Sequence, residues 1–138
     1  MLYIASGLQN RARIIDLIDK FESLGISISY NWCSHGQVFN LDQLRAIAQN
    51  EINGVLNAKC ILVVMPGGRG THYEMGVAWA MKKPIVMLIE DINKHQWTSF
   101  HMLPEIIIVH TEDEAISLVE KILKDGFTHL NHSNICKS

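Results

Sequence analysis

Short apolar runs alternate along the chain with longer segments whose apolar residues recur at helical spacing, the pattern of strands and helices taking turns around a parallel sheet. Leu2 to Ala5 reads as the first strand. Between Leu8 and Leu24, the positions Ile14, Ile15, Leu17, Ile18, Phe21 and Leu24 fall at helical intervals, and Gly25 supplies a C-terminal stop. Ile26-Ser27-Ile28-Ser29-Tyr30 alternates as a half-buried or edge strand does, ahead of a polar loop from Asn31 to Asn40. A second helix is predicted from Leu41 to Leu56, with Leu44, Ile47, Ala48, Ile52, Val55 and Leu56 on one connected face. Ile61-Leu62-Val63-Val64-Met65 is an unbroken apolar run, as expected of a central strand covered on both faces.

Beyond Pro66-Gly67-Gly68-Arg69-Gly70, helix formers with apolar character on most sides predict a largely buried third helix from Thr71 to about Lys82. Pro84 to Ile89 reads as a fourth strand, Glu90 to Leu103 as a long loop, and Ile106 to Val109 as a fifth strand. An amphipathic helix from Glu112 to Leu123 follows, with its end near Gly126. The expected fold is therefore α/β: a single-domain, doubly wound, five-stranded parallel sheet of flavodoxin-like or Rossmann-like type over residues 1–124, with 125–138 as a polar C-terminal tail. Such sheets bind ligands at the carboxyl ends of their strands, which directs attention to the loops after the first and third strands.

Composition narrows the partners. The chain has 138 residues, enough for one domain, and its 48% apolar and 19% charged content suits a packed core. A formal net charge of −2 with no long basic run argues against a nucleic-acid polymer as partner. No apolar stretch approaches the ~20 residues of a membrane-spanning helix. The start, Met1-Leu2-Tyr3-Ile4-Ala5-Ser6, has no basic leader or cleavage site, so a cytoplasmic location is expected. Cys33, Cys60 and Cys136 are odd in number and widely spaced, and read as reduced thiols. His129, His132 and Cys136 are metal-type ligands at short spacing, but they lack a fourth partner, so no metal site is expected.

The sharpest local feature runs from Pro66 to Glu74, from a central strand into a helix. Gly67, Gly68 and Gly70 let backbone N–H groups approach a ligand, the helix N-terminus favours anions, and Arg69 adds a planar cation. The Lys-Ser/Thr ending of a P-loop is absent. Glu74 has two readings: with Thr71 it forms a capping box, or it attacks a sugar carbon as a nucleophile. Glu51, in the second helix, is either a solvated helix charge or a proton donor working opposite Glu74, as paired carboxylates do in glycosidic cleavage. Ser6 and Gly7, with Asn10, Arg11 and Arg13, form either a plain turn or a cradle for ribose or a 5′-phosphate. Trp32, His35, Trp97, Phe100 and His101 lie in loops, where such residues stack on a base or pin the loop to the core. His72 and His110 read as structural or exposed.

Four stretches together resemble the nucleoside 2-deoxyribosyltransferase family and its relatives, the 2′-deoxynucleoside 5′-monophosphate N-glycosidases. They are Tyr3-Ile4-Ala5-Ser6, Ile28-Ser29-Tyr30-Asn31-Trp32, Gly67 to Ala78 with Lys83-Pro84-Ile85, and Phe100-His101-Met102-Leu103-Pro104-Glu105. The resemblance implies that Glu74 attacks the anomeric carbon to give a glycosyl-enzyme, which water or an incoming base then resolves. It implies that Tyr3 and Ser6 contact the sugar, that Glu51 assists the departing base where the family generally has Asp, and that Gly67, Gly68 and Arg69 bind sugar or phosphate with Trp32 near the pocket. Transferases of this family carry an Asp a few residues before the nucleophile; Gly68 and Arg69 stand there instead, which tilts the expectation toward a hydrolase or an altered substrate. The implied substrate is a nucleoside or nucleotide, with no metal or redox cofactor, and the implied assembly is a homo-oligomer.

Pro66 to Glu74 also resembles the Pro-Gly-Gly-x-Gly-Thr-x-x-Glu motif of cytokinin-activating phosphoribohydrolases, which likewise cleave an N-glycosidic bond. Their glycine-rich loop after the first strand has no counterpart here. An NAD-type glycohydrolase and a non-catalytic nucleotide sensor, in which Glu74 serves only as a cap, are the remaining alternatives.

Overall fold

The computed structural model describes residues 1–36, 38 and 40–125. Its centre is a parallel sheet of β1 (Leu2–Ser6), β2 (Cys60–Val64), β3 (Ile85–Leu88) and β4 (Ile106–Val109), in that spatial order. Tyr3 pairs with Ile61, Ile61 with Ile85, and Ile85 with Ile106, so one register row crosses the whole sheet. Every residue of β2 and β3 is buried, which explains why these strands read as continuous apolar runs and not as alternating ones. The connecting helices are α1 (Arg11–Ser23), α2 (Leu41–Asn57), α3 (Arg69–Ala80) and α4 (Glu112–Asp125). This is a flavodoxin-like α/β arrangement. No helix among the described residues is long and apolar enough to cross a membrane. Gly126 and the expected tail, with His129, His132 and Cys136, lie outside the described residues.

The expected strand at Ile26 to Tyr30 does not form a ladder. Ile28 bridges Leu2 at one point, where Leu2 N–H donates to Ser27 O and Ser29 N–H donates to Leu2 O, both at 2.9 Å. The Ser29 hydroxyl then donates to Gly54 O at 2.6 Å, and Asn31 Oδ1 accepts from Cys33 N–H at 2.9 Å to start a short 3-10 turn, Trp32–Ser34. These side chains bend the segment away from β1, and the sheet among the described residues has four strands, not five.

Helix α1 buries Ile14, Leu17, Ile18 and Phe21, and it ends where Gly25 takes a left-handed φ of 80°. Leu24 and Ile15, expected on the same face, are exposed. Helix α2 starts as its sequence predicts, with Asn40 Oδ1 accepting from Gln43 N–H at 2.8 Å. Its predicted apolar face is mostly uncovered, since only Gly54 and Val55 are buried and Leu44 and Leu56 face solvent. Contact is confined to the C-terminal end, where Lys83 Nζ donates to Leu56 O at 2.7 Å and Ala58 O at 2.6 Å. The ammonium satisfies two orphan carbonyls and complements the helix dipole.

Gly54 is the point of closest approach. A methyl group there would lie 2.7 Å from Tyr30 Cβ and 2.9 Å from the Tyr3 ring. Gly76 in α3 has open space around it. Opposite signs are therefore expected in thermal melts: Gly54→Ala loses about 1–3 kcal/mol through overpacking, whereas Gly76→Ala gains about 0.5–1 kcal/mol from helix propensity. A stabilised Gly54→Ala would contradict this packing.

Candidate active site

Strand β2 runs into Met65, Pro66, Gly67 and Gly68, and α3 begins at Arg69, earlier than Thr71, where the sequence places it. The reason is local. Gly68 takes the N-cap position in extended conformation, and its N–H donates to Thr71 Oγ1 at 3.2 Å. Thr71 folds against Gly67, where an added Cβ would lie 2.5 Å from Thr71 Cγ2. Thr71 is thus the third residue of the helix, and Glu74 lies in the second turn, where no orphan N–H remains to be capped. The capping reading of Glu74 falls with this shift.

The helical phase turns Thr71, Glu74, Met75 and Ala78 toward the core. Glu74 is 8% exposed, and burial pushes its carboxyl up to about 7, with the Glu51 charge adding to the rise and the Tyr3 hydroxyl opposing it. Tyr3, fully buried on β1, is held well above the usual phenol range, first by burial and then by the Glu74 charge. The two groups face each other electrostatically, yet Tyr3 Oη and Glu74 Oε2 both lack a completed hydrogen bond among the described residues. Glu51, half-buried on α2, also has a raised pKa from burial, with His35 acting against it. Both ring nitrogens of His35 are buried without a hydrogen-bond partner among the described residues. Two carboxyls, a phenol and an imidazole thus act on one another in a poorly solvated region between β1, α2 and α3, the setting in which pKa values are shifted for chemistry.

The other expected site residues divide among different places. Ser6 Oγ donates to Val64 O at 2.7 Å and accepts from Asn10 Nδ2 at 2.9 Å, while Asn10 also donates to Pro66 O at 3.0 Å. Ser6 therefore ties the two loops together. Trp32 is buried and its indole N–H donates to Ile4 O at 2.7 Å, so the ring pins its loop to β1. Gly67 lines a cavity of about 780 Å³ with Asn10, Arg13, His72, Lys94 and Trp97. Arg69 lines a separate groove of about 530 Å³ with Tyr73, Trp79 and Phe100. Neither space is lined by Glu74, Tyr3 or Glu51. Burial raises the Cys33 thiol and pushes Cys60 up to about 12, which leaves both as unreactive core thiols. The closeness of His35 to Glu51 and of His95 to the 780 Å³ cavity is not legible in the sequence because loop residues carry no periodicity that reports direction, and the helical phase of His72 does not name the loop it meets.

The raised pKa of Glu74 has a consequence for stability. Its folded value lies above the ordinary 4.5, so the stability it supports is fully present below that pH and is lost as pH rises through about 7. Glu74→Gln stays neutral throughout. It is expected to raise the thermal midpoint at pH 8, by an amount on the order of 1–3 kcal/mol, and to change it little at pH 4. Equal shifts at the two pH values would show that no buried charge is involved.

The chain is similar in fold to the CMP N-glycosidase BcmB of Clostridium botulinum, with a TM-score of 0.58 and 22% identity over 86% of this chain and 97% of that one. No curated protein matches the sequence. The family model described as nucleoside 2-deoxyribosyltransferase matches residues 2–128. The chain belongs to the nucleoside 2-deoxyribosyltransferase family.

Proposed function

We propose that this protein cleaves the N-glycosidic bond of a nucleoside or nucleoside 5′-monophosphate, with Glu74 as nucleophile. The observation that carries the proposal is a buried carboxylate at a core-facing helix position whose Oε2 has no partner and which faces a phenol. Structural economy would place an apolar residue there. The sensor alternative needs Glu74 as a helix cap, and the position of Thr71 in the first turn of α3 removes that role.

In the proposed reaction, the Glu74 carboxylate attacks the anomeric carbon as the bond to the base breaks, and the base leaves with the bonding pair. Glu51, whose carboxyl is shifted upward by burial, protonates the base. Tyr3 is a neutral phenol beside Glu74; in the proposed reaction its hydroxyl turns to donate to the carboxylate, an interaction that lowers the carboxyl pKa and steadies its orientation. Water then attacks the glycosyl ester and frees Glu74. Gly67 and Gly68 bring backbone close to the sugar or phosphate, Arg69 supplies charge at the same helix start, and Ser6 and Trp32 hold the floor beneath them. Hydrolysis is favoured over transfer because Gly68 and Arg69 occupy the place where transferases carry an Asp. A nucleoside monophosphate also fits the similarity to a protein described as a CMP N-glycosidase. With Glu74 only 8% exposed, substrate reaches it by displacing part of the wall, not through an open cleft.

Self-association belongs to the same proposal. The groove beside α3 is rimmed by Tyr73, Trp79, Phe100 and Met102, which are 67, 43, 68 and 66% exposed, and α2 leaves Leu41 and Leu44 uncovered. Such apolar area on a small domain marks a contact surface, and a second copy of the chain is the proposed occupant.

Two measurements test these statements. Base release from a panel of nucleosides, nucleoside monophosphates and NAD is expected for the wild type and falls at least about a thousandfold in Glu74→Gln. The wild-type kcat/KM rises with pH through about 7 as Glu74 ionises, and Tyr3→Phe moves that rise to higher pH. Retained turnover in Glu74→Gln would remove the nucleophile. Separately, light scattering after gel filtration is expected to give a mass above one chain, reduced to one chain by Phe100→Glu with Trp79→Glu. A wild-type monomer would overturn the self-association.

A further inference from the structure

Three histidines from two separate segments form a hydrogen-bonded chain on the far side of the glycine loop. His72 Nδ1 lies 2.7 Å from Gly68 O, His72 Nε2 lies 2.9 Å from His101 Nε2, and His101 Nδ1 lies 3.0 Å from His95 Nε2. The rings pack as well, with His72 stacked on His101 at 5.1 Å and His95 edge-on to Trp97 at 4.5 Å. His101, the middle member, is 1% exposed. Because His101 uses nitrogens on opposite sides of its ring, the three imidazoles do not converge on one point. In agreement, no group of three such ligands among the described residues is arranged to hold a metal.

The partners at the two ends leave one proton arrangement. Gly68 O only accepts, so His72 carries its proton on Nδ1 and offers Nε2 as acceptor. His101 must then donate from Nε2 and accept at Nδ1, where Thr98 N–H also points from 3.3 Å. His95 in turn donates from Nε2. A second proton on His72 would set two N–H groups against each other across 2.9 Å, and one on His101 Nδ1 would meet both His95 and the Thr98 amide.

We infer that His101 is a positioning residue: through His72 it fixes Gly68 and the start of α3, and the chain of three histidines holds only while all of them are neutral. The loop from Glu90 to Met102 is thereby latched onto the glycine loop. Gly68 O also accepts the His72 backbone N–H at 3.2 Å, so side chain and backbone of one residue grip the same carbonyl. His72 stands two residues before Glu74 on α3, which links the latch to the carboxylate. The effect on turnover rests on the proposed function; the fixing of the loop does not.

Among the described residues, no carboxylate is hydrogen-bonded to the ring nitrogens that join the three imidazoles. Around the cavity beside the chain stand Arg13 from α1 and Glu90, Asp91 and Lys94 from the loop, with Arg69 and Tyr73 of α3 on the groove side. Arg13 is paired with both Glu90 and Glu112. Burial and the neighbouring His72 and His95 hold His101 down at about 4, and burial with His72 lowers His95. A depressed histidine supports stability above its ordinary value of 6.5 and loses that support as pH falls toward about 4, where a proton on His101 breaks the chain at its centre.

Nitrogen-15 spectra of the histidine rings in the full chain test the inference without reference to activity. At pH 7.5 His72 is expected as the Nδ1–H tautomer and His101 as the Nε2–H tautomer, both neutral. The Gly67 and Gly68 amide signals are expected to move in His101→Phe and in His72→Phe, and to return close to wild type in His101→Gln, which keeps a donor near Nε2. In turnover, His101→Phe is expected to lower kcat on the order of tenfold, with His101→Gln restoring most of it. Reversed tautomers, a charged His101 at pH 7.5, or glycine amides indifferent to both phenylalanine variants would overturn the inference. A wild type that releases no base from any substrate would sink the proposed function instead, and the ring tautomers and glycine signals would still decide the latch.

Discussion

A carboxylate occupies a core position of a helix, and most of the site depends on that placement. Thr71, Glu74, Met75 and Ala78 make one buried stripe, three of whose members are what a packed interior accepts readily. Glu74 is the exception, and its setting follows from a contact between two small groups, Gly67 and the Thr71 methyl. Had the helix begun at Thr71, the carboxylate would have turned back to its own first-turn amides. Beginning at Arg69, it meets Tyr3 on β1. The glycines thus act here by fixing where the helix starts, in addition to any approach they allow to a ligand.

The same placement explains features that are otherwise unrelated. Helix α2 passes close over the ring of Tyr3, an approach that requires Gly54. That approach brings Glu51, three residues earlier on the same helix, near enough to raise the Glu74 pKa. Helix α2 is held at this one end, by the Lys83 ammonium on its last carbonyls and by Ser29 on Gly54 O, while its N-terminal apolar residues stay uncovered. A helix docked so locally positions one carboxylate with little packing of its own, which is consistent with its remaining face being covered by another surface.

Legibility in the sequence follows the same physics. Strands β1 to β4 could be read because burial on both faces leaves an apolar run that no other element of that length produces. Helix centres were legible from period, and the α2 start from Asn40. The segment at Ile26 to Tyr30 alternates like a strand, but its serines and Asn31 satisfy the backbone locally, and pattern alone does not reveal that competition. The start of α3 was misplaced by two residues, a small error that reverses the meaning of Glu74. Glu51 and Tyr3 were reachable through family likeness; His101, His95 and His72 were not, since two lie in a loop and the third is 29 residues from its partner.

The glycine loop is held from both sides, and the two grips differ in kind. On the β1 side, Pro66 O accepts from Gly7 N–H and from Asn10, groups that do not titrate in any accessible range. On the other side, Gly68 O is held by an imidazole whose other nitrogen is engaged by a chain of two more imidazoles. The same few residues therefore carry a permanent anchor and a titratable one, two positions apart. Under the proposed function the carboxylate beyond them must ionise to attack, at a pKa near 7, while His101, the central imidazole of the chain, is held down at about 4. Above neutrality a charged Glu74 and a neutral His101 therefore coexist, so the centre of the imidazole chain keeps its acceptor while the carboxylate carries its charge.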